Sequence, residues 1–227
     1  MAVSRALPLD ALKVLFVTDG TGDCARILGL VESAVAGGVR AIQLREPTLN
    51  AATLAELCAH VRTLLEPVSG LLFVNDRCDL VAAGCCDGAQ VGCHSLSPSL
   101  ARRAVGTGWL GASCHDPEQL ARAKAALVDV ACLSPVWPTR SKPGHPGLGI
   151  ELAGEWTLMG GLPTLWLGGV EARHAAQVAA LPRARRPIGV AVMSAIAGAE
   201  DPRAAAQHLV QAWAASLSAA DPASLCD

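Results

Sequence analysis

A repeat in hydrophobicity limits the fold of this chain more than any other sequence feature. Eight times along the chain, a short apolar run ends in polar or Gly residues and is followed by a segment with helical periodicity. The mean repeat is roughly 28 residues, which is close to the length of one βα unit in a (β/α)8 barrel. The pattern therefore predicts an α/β fold, a single-domain TIM (β/α)8 barrel, with a doubly wound open sheet as the alternative.

The positions of the strands and helices follow from this repeat. The predicted strand and helix pairs are 11–18 with 24–36, 39–44 with 51–65, 71–74 with 79–83, 88–91 with 98–105, 110–113 with 117–127, 128–133 with 150–158, 164–167 with 171–181, and 188–192 with 202–215. No linker or low-complexity segment divides the chain. We therefore predict one domain over residues 1–215 and a flexible C-terminal tail over residues 216–227.

Composition excludes several classes of partner. The 227 residues are 52% hydrophobic, which suits one domain with a large core, and the net charge of -2 provides no basic surface for nucleic acid. No apolar run approaches the roughly 18 residues that span a bilayer, and the first ten residues do not resemble a signal peptide. The nine cysteines include no CxxC motif, which favours scattered buried thiols. These features predict a cytoplasmic enzyme without a membrane partner.

The sequence leaves open whether the chain forms a homo-oligomer, with Trp109, Trp156 and Trp213 as candidate interface residues.

Polar residues collect where the predicted strands end, which is where barrel enzymes carry their chemistry. The strand-end residues, in chain order, are Thr18-Asp19, Gln43 to Glu46, Asn75 to Arg77, Gln90 with Ser95, Ser113 to His115, Ser134 to Gly144, Gly168-Gly169 and Ser194. Packed strand ends would be expected to stay apolar, so this distribution predicts a functional rim.

The loop after the sixth strand has the composition of an anion site. Thr139, Ser141 and Lys142 supply two hydroxyl donors and a point charge, and three prolines restrict the backbone that carries them. The alternative is a solvated surface turn stiffened by proline.

Two strand ends predict contacts with phosphate or metal. Gln43 and Arg45 are two residues apart and therefore point the same way, where Arg45 could bind a diphosphate; an ion pair of Arg45 with Glu46 or Asp76 is the alternative. Asn75 and Asp76 form an oxygen-rich group that suits Mg²⁺, whereas Asp76 as a helix N-cap is the competing interpretation.

The last two strand ends and two Cys-His pairs complete the candidates. Gly169 allows close approach of an anion to the backbone, although Gly168-Gly169 could also be a simple turn. The pairs Cys93-His94 and Cys114-His115 could together bind zinc or form a thiol and base dyad, but neither has a ligand-spacing signature.

In combination, these motifs resemble the thiamine phosphate synthase/TenI superfamily. The resemblance extends from about Lys13 to Trp213 and rests on Gln43-Leu44-Arg45-Glu46, Asn75-Asp76-Arg77-Cys78-Asp79-Leu80, Gly111-Ala112-Ser113-Cys114-His115, Ser134 to Lys142, Leu167-Gly168-Gly169-Val170 and Val190 to Ile196. It implies a TIM barrel that joins hydroxymethylpyrimidine diphosphate to a thiazole phosphate and releases pyrophosphate.

The resemblance also implies a role for each matching residue. Arg45, Asn75, Thr139, Ser141 and Lys142 would hold the diphosphate, with Asp76 as the Mg²⁺ ligand. Gln43 and Ser113 would face the pyrimidine and the reacting centre, and Gly169, Met193 and Ser194 would take the thiazole phosphate. Within this set, Arg45, Ser113 and Lys142 are the predicted catalytic residues.

Three positions depart from the synthase or tautomerase patterns. Pro47 stands where the synthases have a diphosphate-binding lysine, and Ser95 stands where they have a second magnesium aspartate. The segment around Ser95 is closer to the TenI branch, whose thiazole tautomerases transfer protons without a metal, yet Pro135 stands in place of the tautomerase histidine. Synthase activity is the first hypothesis. A tautomerase with His115 or His94 as base, and a catalytically silent thiazole or thiamine phosphate-binding regulator, are the alternatives.

Overall fold

Eight parallel strands close into a barrel in the order β1 to β8, and at least one helix follows each strand. The structure is a computed structural model and describes residues 7–219. Every strand pairs with its sequence neighbours, and β8 pairs with β1. The predicted TIM barrel is confirmed, and the open doubly wound sheet is wrong.

The strands are short and the helices vary widely in length. The strands are β1 Val14–Val17, β2 Ala41–Leu44, β3 Leu71–Asn75, β4 Gly88–Val91, β5 Trp109–Cys114, β6 Val130–Leu133, β7 Thr164–Leu167 and β8 Gly189–Val192. The helices are α1 Cys24–Ala36, α2 Ala51–Leu65, α3 Cys78–Ala82, α4 Pro98–Val105, α5 Pro117–Ala125, α6 Ile150–Gly160, α7 Ala175–Ala179, α8 Ser194–Ala197 and α9 Pro202–Ser218.

Four of the longer helices begin at a side-chain cap. Asp23, Asn50, Asp116 and Asp201 each accept a hydrogen bond from the backbone N–H three residues further on. Such a cap satisfies one of the backbone donors that the first turn leaves unpaired. Proline in the first turn of α4, α5 and α9 adds a φ angle already suited to a helix.

Alternation along the strands divides the core into two apolar layers. Leu15 and Val17 pack inside the barrel with residues such as Phe73 and Leu165. Val14 and Phe16, on the same strand, belong to the layer between barrel and helices. The barrel interior is therefore filled by side chains, so ligand chemistry is left to its mouth.

Several element boundaries differ from the predicted ones. The first strand begins at Val14, because Leu9–Lys13 form a 3-10 helix in which Leu12 is fully buried. The predicted helix over 171–181 is a 3-10 turn, Ala172–His174, followed by the short α7. The additional helix α8 precedes α9.

The domain boundary drawn at residue 215 falls inside a helix. Residues 216–218, which the sequence pattern assigns to the tail, belong to α9. The remainder of that tail, from residue 220, lies outside the described residues. Two of the candidate interface tryptophans, Trp109 and Trp213, are buried in the core, so they are not available for an oligomer contact.

Across residues 7–219, no helix combines the length and apolarity that a bilayer crossing requires. The cytoplasmic location stays a prediction.

Candidate active site

A cavity of about 720 Å³ opens at the carboxyl ends of the strands. It brings together all the predicted catalytic and substrate-binding residues, and these residues come from distant parts of the chain. Its lining includes Gln43, Arg45, Asn75, Ser113, Thr139, Ser141, Lys142, Gly169, Met193 and Ser194. Asp76, the predicted metal ligand, does not line the cavity, but it is hydrogen-bonded to Asn75, which does line it.

A chain of hydrogen bonds connects three neighbouring strand ends. Gln43 Nε2 donates to Asn75 Oδ1 at 3.1 Å, and Asn75 Nδ2 donates to Asp76 Oδ2 at 2.8 Å. The Ser95 hydroxyl donates to Asp76 Oδ1 and accepts from the Gly92 N–H at 2.7 Å. Each side chain is therefore oriented by the next, which fixes the polar groups before a ligand arrives.

Asp76 does not cap the following helix. Its backbone is left-handed, with a φ of 62°, and α3 begins after Arg77 without a side-chain cap. The conformation turns the carboxylate toward Ser95 and Asn75 instead. The N-cap interpretation of Asp76 is therefore wrong.

The donors around Asp76 can accommodate Mg²⁺ without a second carboxylate. Mg²⁺ commonly takes one or two carboxylates and completes its octahedron with water and substrate phosphate oxygens. Asp76 supplies one carboxylate, and within residues 7–219 no three His, Cys, Asp or Glu side chains are grouped to hold a metal. A metal at Asp76 would therefore depend on the substrate for its remaining ligands. The same observation does not support a zinc site at the two Cys-His pairs.

Arg45 lines the cavity mouth, and among residues 7–219 its side chain has no ion-pair partner. Its backbone N–H donates to Thr18 Oγ1 at 2.9 Å, which anchors the residue just beyond β2. Glu46 is buried and accepts hydrogen bonds from the backbone N–H groups of Gly20 and Gly22. Within the described part of the chain, neither Glu46 nor Asp76 forms an ion pair with Arg45, so the guanidinium remains available to an anion.

The loop after β6, Ser134 to Gly144, which we call the phosphate loop for its predicted role, packs on the two glycines that follow β7. Val136 N–H donates to the Leu167 carbonyl at 2.9 Å, and Trp137 N–H donates to the Gly168 carbonyl at 3.0 Å. Gly169 has a φ of 62°, and a Cβ there would lie 2.3 Å from the Pro138 backbone oxygen. The glycine pair is thus both a turn and the surface on which the phosphate loop rests.

An aromatic stack between Trp137, in this loop, and His174 supports the loop. The Trp137 ring lies 4.3 Å from the His174 ring, centroid to centroid, with an interplanar angle of 6°. His174 is buried, and its Nδ1 accepts a hydrogen bond from the Glu171 N–H. Burial lowers the pKa of His174, so the neutral ring is favoured in this position.

The floor of the cavity is lined by small polar groups on β4, β5 and β6. Gln90 Nε2 donates to Ser113 Oγ at 3.1 Å, which orients the predicted catalytic hydroxyl. Cys132 lies beside Ser113 in the strand register, and burial raises the pKa of its thiol to about 12. The thiol is therefore neutral and acts here as a small packing group.

Five residues that line the cavity had no individual role assigned from the sequence, namely Gln90, Cys132, Ser134, Arg140 and Glu171, of which only Cys132 and Glu171 lie outside the predicted rim. Gln90 and Ser134 stand at predicted strand ends, and that position was the available signal for both. Arg140 lies inside the predicted phosphate loop between two chosen residues. Cys132 is apolar in character and Glu171 is acidic, so neither suggested a phosphate site.

Comparisons with known proteins agree with this geometry. A family model described as thiamine monophosphate synthase matches residues 14–196. The thiamine-phosphate synthase of Mycolicibacterium vanbaalenii is 34% identical over 88% of this chain and 94% of its own length. That of Archaeoglobus fulgidus is 34% identical over 89% of this chain and 93% of its own length.

A solved structure extends the similarity to the fold. The thiamine phosphate pyrophosphorylase from Pyrococcus furiosus superposes with a TM-score of 0.79 at 26% identity, covering 92% of this chain and 99% of that one. The matches in sequence and in structure both span the eight strands and the cavity they enclose. The chain therefore belongs to the thiamine monophosphate synthase family.

Proposed function

We propose that this chain joins hydroxymethylpyrimidine diphosphate to a thiazole phosphate and releases pyrophosphate. The observation that carries this proposal is that cations and hydrogen-bond donors suited to phosphate reach one cavity from both halves of the barrel. β2 and β6 are four strands apart in a ring of eight, so Arg45 and the loop that carries Lys142 approach the mouth from opposite sides. A diphosphate bound between them would be neutralised from both sides.

The second phosphate has its own candidate donors. Gly169 follows β7 and Ser194 follows β8, two strands that pair directly with each other. Backbone N–H groups at these positions suit a phosphate, as in many barrels of this type. Because both sets line the same 720 Å³ cavity, the two substrates would be held against each other.

The chemistry requires little from the protein beyond placement and charge. The bond between the pyrimidine methylene carbon and the diphosphate oxygen breaks, and its electron pair leaves with pyrophosphate. The thiazole nitrogen then donates its lone pair to the methylene cation, which forms the new C–N bond. Arg45 and Lys142 would stabilise the charge that develops on the leaving group, while Gln43 and Ser113 would hold the pyrimidine in line.

A magnesium ion would be held by Asp76, with Asn75 and Ser95 orienting that carboxylate. When bound, it would neutralise part of the charge on the diphosphate. Among the described residues, Asp76 would supply one carboxylate, and both of its oxygens are already fixed by hydrogen bonds.

The assay is the release of pyrophosphate by the purified chain with both substrates, over a range of Mg²⁺ concentrations. We expect release only when both substrates are present, since the thiazole must capture the cation. Lys142→Ala should reduce the rate, whereas Lys124→Ala, on the outer helix α5, should not. No release at any Mg²⁺ concentration would contradict the proposal.

The other two hypotheses give different results in the same preparations. A thiazole tautomerase would need a base in the cavity, and neither of its candidate bases, His94 and His115, is among the described residues that line it. Aromatisation of a carboxythiazole phosphate without Mg²⁺ would reveal that activity. A silent binder would be stabilised by thiazole phosphate or thiamine phosphate without turnover.

A further inference from the structure

His115 stands at the junction of β5 and α5 on a firmly held backbone. Its N–H donates to Gln119 Oε1 at 3.0 Å. Gln119 is fixed in turn by Asp116, which accepts from the Gln119 backbone N–H at 2.7 Å and from its Nε2 at 2.6 Å. The backbone of His115 is therefore held by the first turn of α5.

The ring ties this turn to the start of the phosphate loop. His115 Nδ1 lies 2.6 Å from the Ser134 backbone oxygen. A carbonyl oxygen can only accept, so Nδ1 carries the proton and donates it. The Ser134 N–H donates to the Cys114 carbonyl at 3.1 Å, and the histidine therefore adds one more link to the pairing of β5 with β6.

The same ring nitrogen lies beside the cation of that loop. Lys142 Nζ is 3.4 Å from His115 Nδ1. Because the Nδ1 proton is already donated to Ser134, this is a packing contact and not a hydrogen bond. Within residues 7–219, no carboxylate lies within ion-pair distance of Lys142.

An imidazole is well suited to this place. A carboxylate beside Lys142 would orient the ammonium but would also neutralise it, which would weaken its attraction for a diphosphate. The imidazole ring restricts the long, flexible Lys142 side chain by contact and offers no competing anion, so less rotamer entropy is lost when the ligand binds.

We infer that His115 is a positioning residue for diphosphate binding: its hydrogen bond to Ser134 fixes the ring, and the ring presents the ammonium of Lys142 to the cavity. The inference rests on the proposed function, in which Lys142 binds the diphosphate. His115 itself does not line the cavity, so it acts through Lys142 and not on the substrate.

The test uses inorganic pyrophosphate with Mg²⁺ as the probe and isothermal titration calorimetry as the measurement. His115→Ala should weaken binding about tenfold, because the ring no longer restricts the Lys142 side chain. His115→Asn should stay within about threefold of the wild type, because the Asn amide N–H₂ can take the place of Nδ1–H. His115→Gln, whose amide extends further toward the Nε2 position, should resemble His115→Ala.

A double-mutant cycle separates positioning from a merely structural role. In a Lys142→Ala background, His115→Ala should change the pyrophosphate Kd by less than about twofold. Melting temperatures of all variants report whether each still folds. If His115→Ala does not fold, His115→Asn serves as the folded reference.

The outcomes are distinguishable. Equal binding by His115→Ala and the wild type, or an undiminished loss in the Lys142→Ala background, would overturn the inference and leave the proposed function intact. Failure of His115→Asn to restore binding, in a variant that melts like the wild type, would also overturn it. A wild-type chain that binds no pyrophosphate would contradict the proposed function as well.

Discussion

Replacing Gly169 by alanine should damage both stability and activity, because the phosphate loop rests on this residue. A Cβ at Gly169 would lie 2.3 Å from the Pro138 backbone oxygen and 2.9 Å from Trp137 Cβ. Non-bonded heavy atoms are comfortable at about 3.5 Å. The loop would therefore have to retreat by about 1 Å, and it carries Thr139, Ser141 and Lys142.

The size of the effect follows from two contributions. A left-handed backbone costs about 1–2 kcal/mol for a residue with a Cβ, and Gly169 has a φ of 62°. Overpacking against backbone atoms adds about 1–3 kcal/mol. The sum is about 2–5 kcal/mol, or a fall in Tm of about 4–20 °C for a domain of this size. A displacement of about 1 Å in the donors should lower kcat/KM for pyrophosphate release about 100-fold.

Gly84→Ala is the matched control. Gly84 has a φ of 77°, and no atom lies within 4 Å of its Cβ position. That variant should lose only the backbone contribution, about 1–2 kcal/mol, and should keep its kcat/KM. Urea unfolding and initial rates would be measured for both variants. If Gly169→Ala matched Gly84→Ala in both measurements, the idea that the loop is supported by the glycine pair would be refuted.

Two further predictions concern the metal and pH. Ser95→Asp places a second carboxylate beside Asp76 and should tighten Mg²⁺ binding about tenfold, as measured by calorimetry. The control Ser99→Asp adds the same charge on α4 and should leave Mg²⁺ affinity unchanged. Equal affinities for the two variants would contradict the assignment of Asp76 as the metal ligand. Burial lowers the pKa of His174, so the unfolded chain takes up this proton first and stability is lost as pH falls from about 6.5 toward the lower folded pKa. His174→Gln should therefore lose less free energy of unfolding than the wild type over that window in urea titrations, and parallel curves would show that His174 is not responsible.

Local sequence signals were sufficient to predict the barrel but not the boundaries of all its strands and helices. The helices Cys24–Ala36, Ala51–Leu65 and Pro98–Val105 have the predicted bounds because caps, prolines and glycines mark them. The apolar run from Ala11 reads as strand, yet its first residues form a 3-10 turn whose Leu12 carbonyl closes onto Gly189, where a Cβ would be 1.8 Å away. That contact depends on β8, nearly 180 residues away in the chain, and no local pattern contains it.

Some features of the site could likewise be predicted from sequence, whereas others depend on the tertiary structure. Parallel strands bring their carboxyl ends together, so residue types such as Arg45 and Lys142 could be chosen from position alone, and both line the cavity. The bond from Ser95 to Asp76 depends on a left-handed backbone at a non-glycine residue, which sequence does not indicate. The contact of His115 with Ser134 depends on how two loops pack, and the same residue therefore served as a candidate base at first.

The most direct test of the account is a crystal structure of the chain with pyrophosphate, thiazole phosphate and Mg²⁺ bound together. We predict the diphosphate between Arg45, Asn75 and Lys142, the metal on Asp76, and the single phosphate against the N–H groups at Gly169 and Ser194, all within one cavity. Ligands bound in separate clefts, or a diphosphate that does not contact Arg45 and Lys142, would contradict the claim that the barrel mouth brings two phosphorylated heterocycles together.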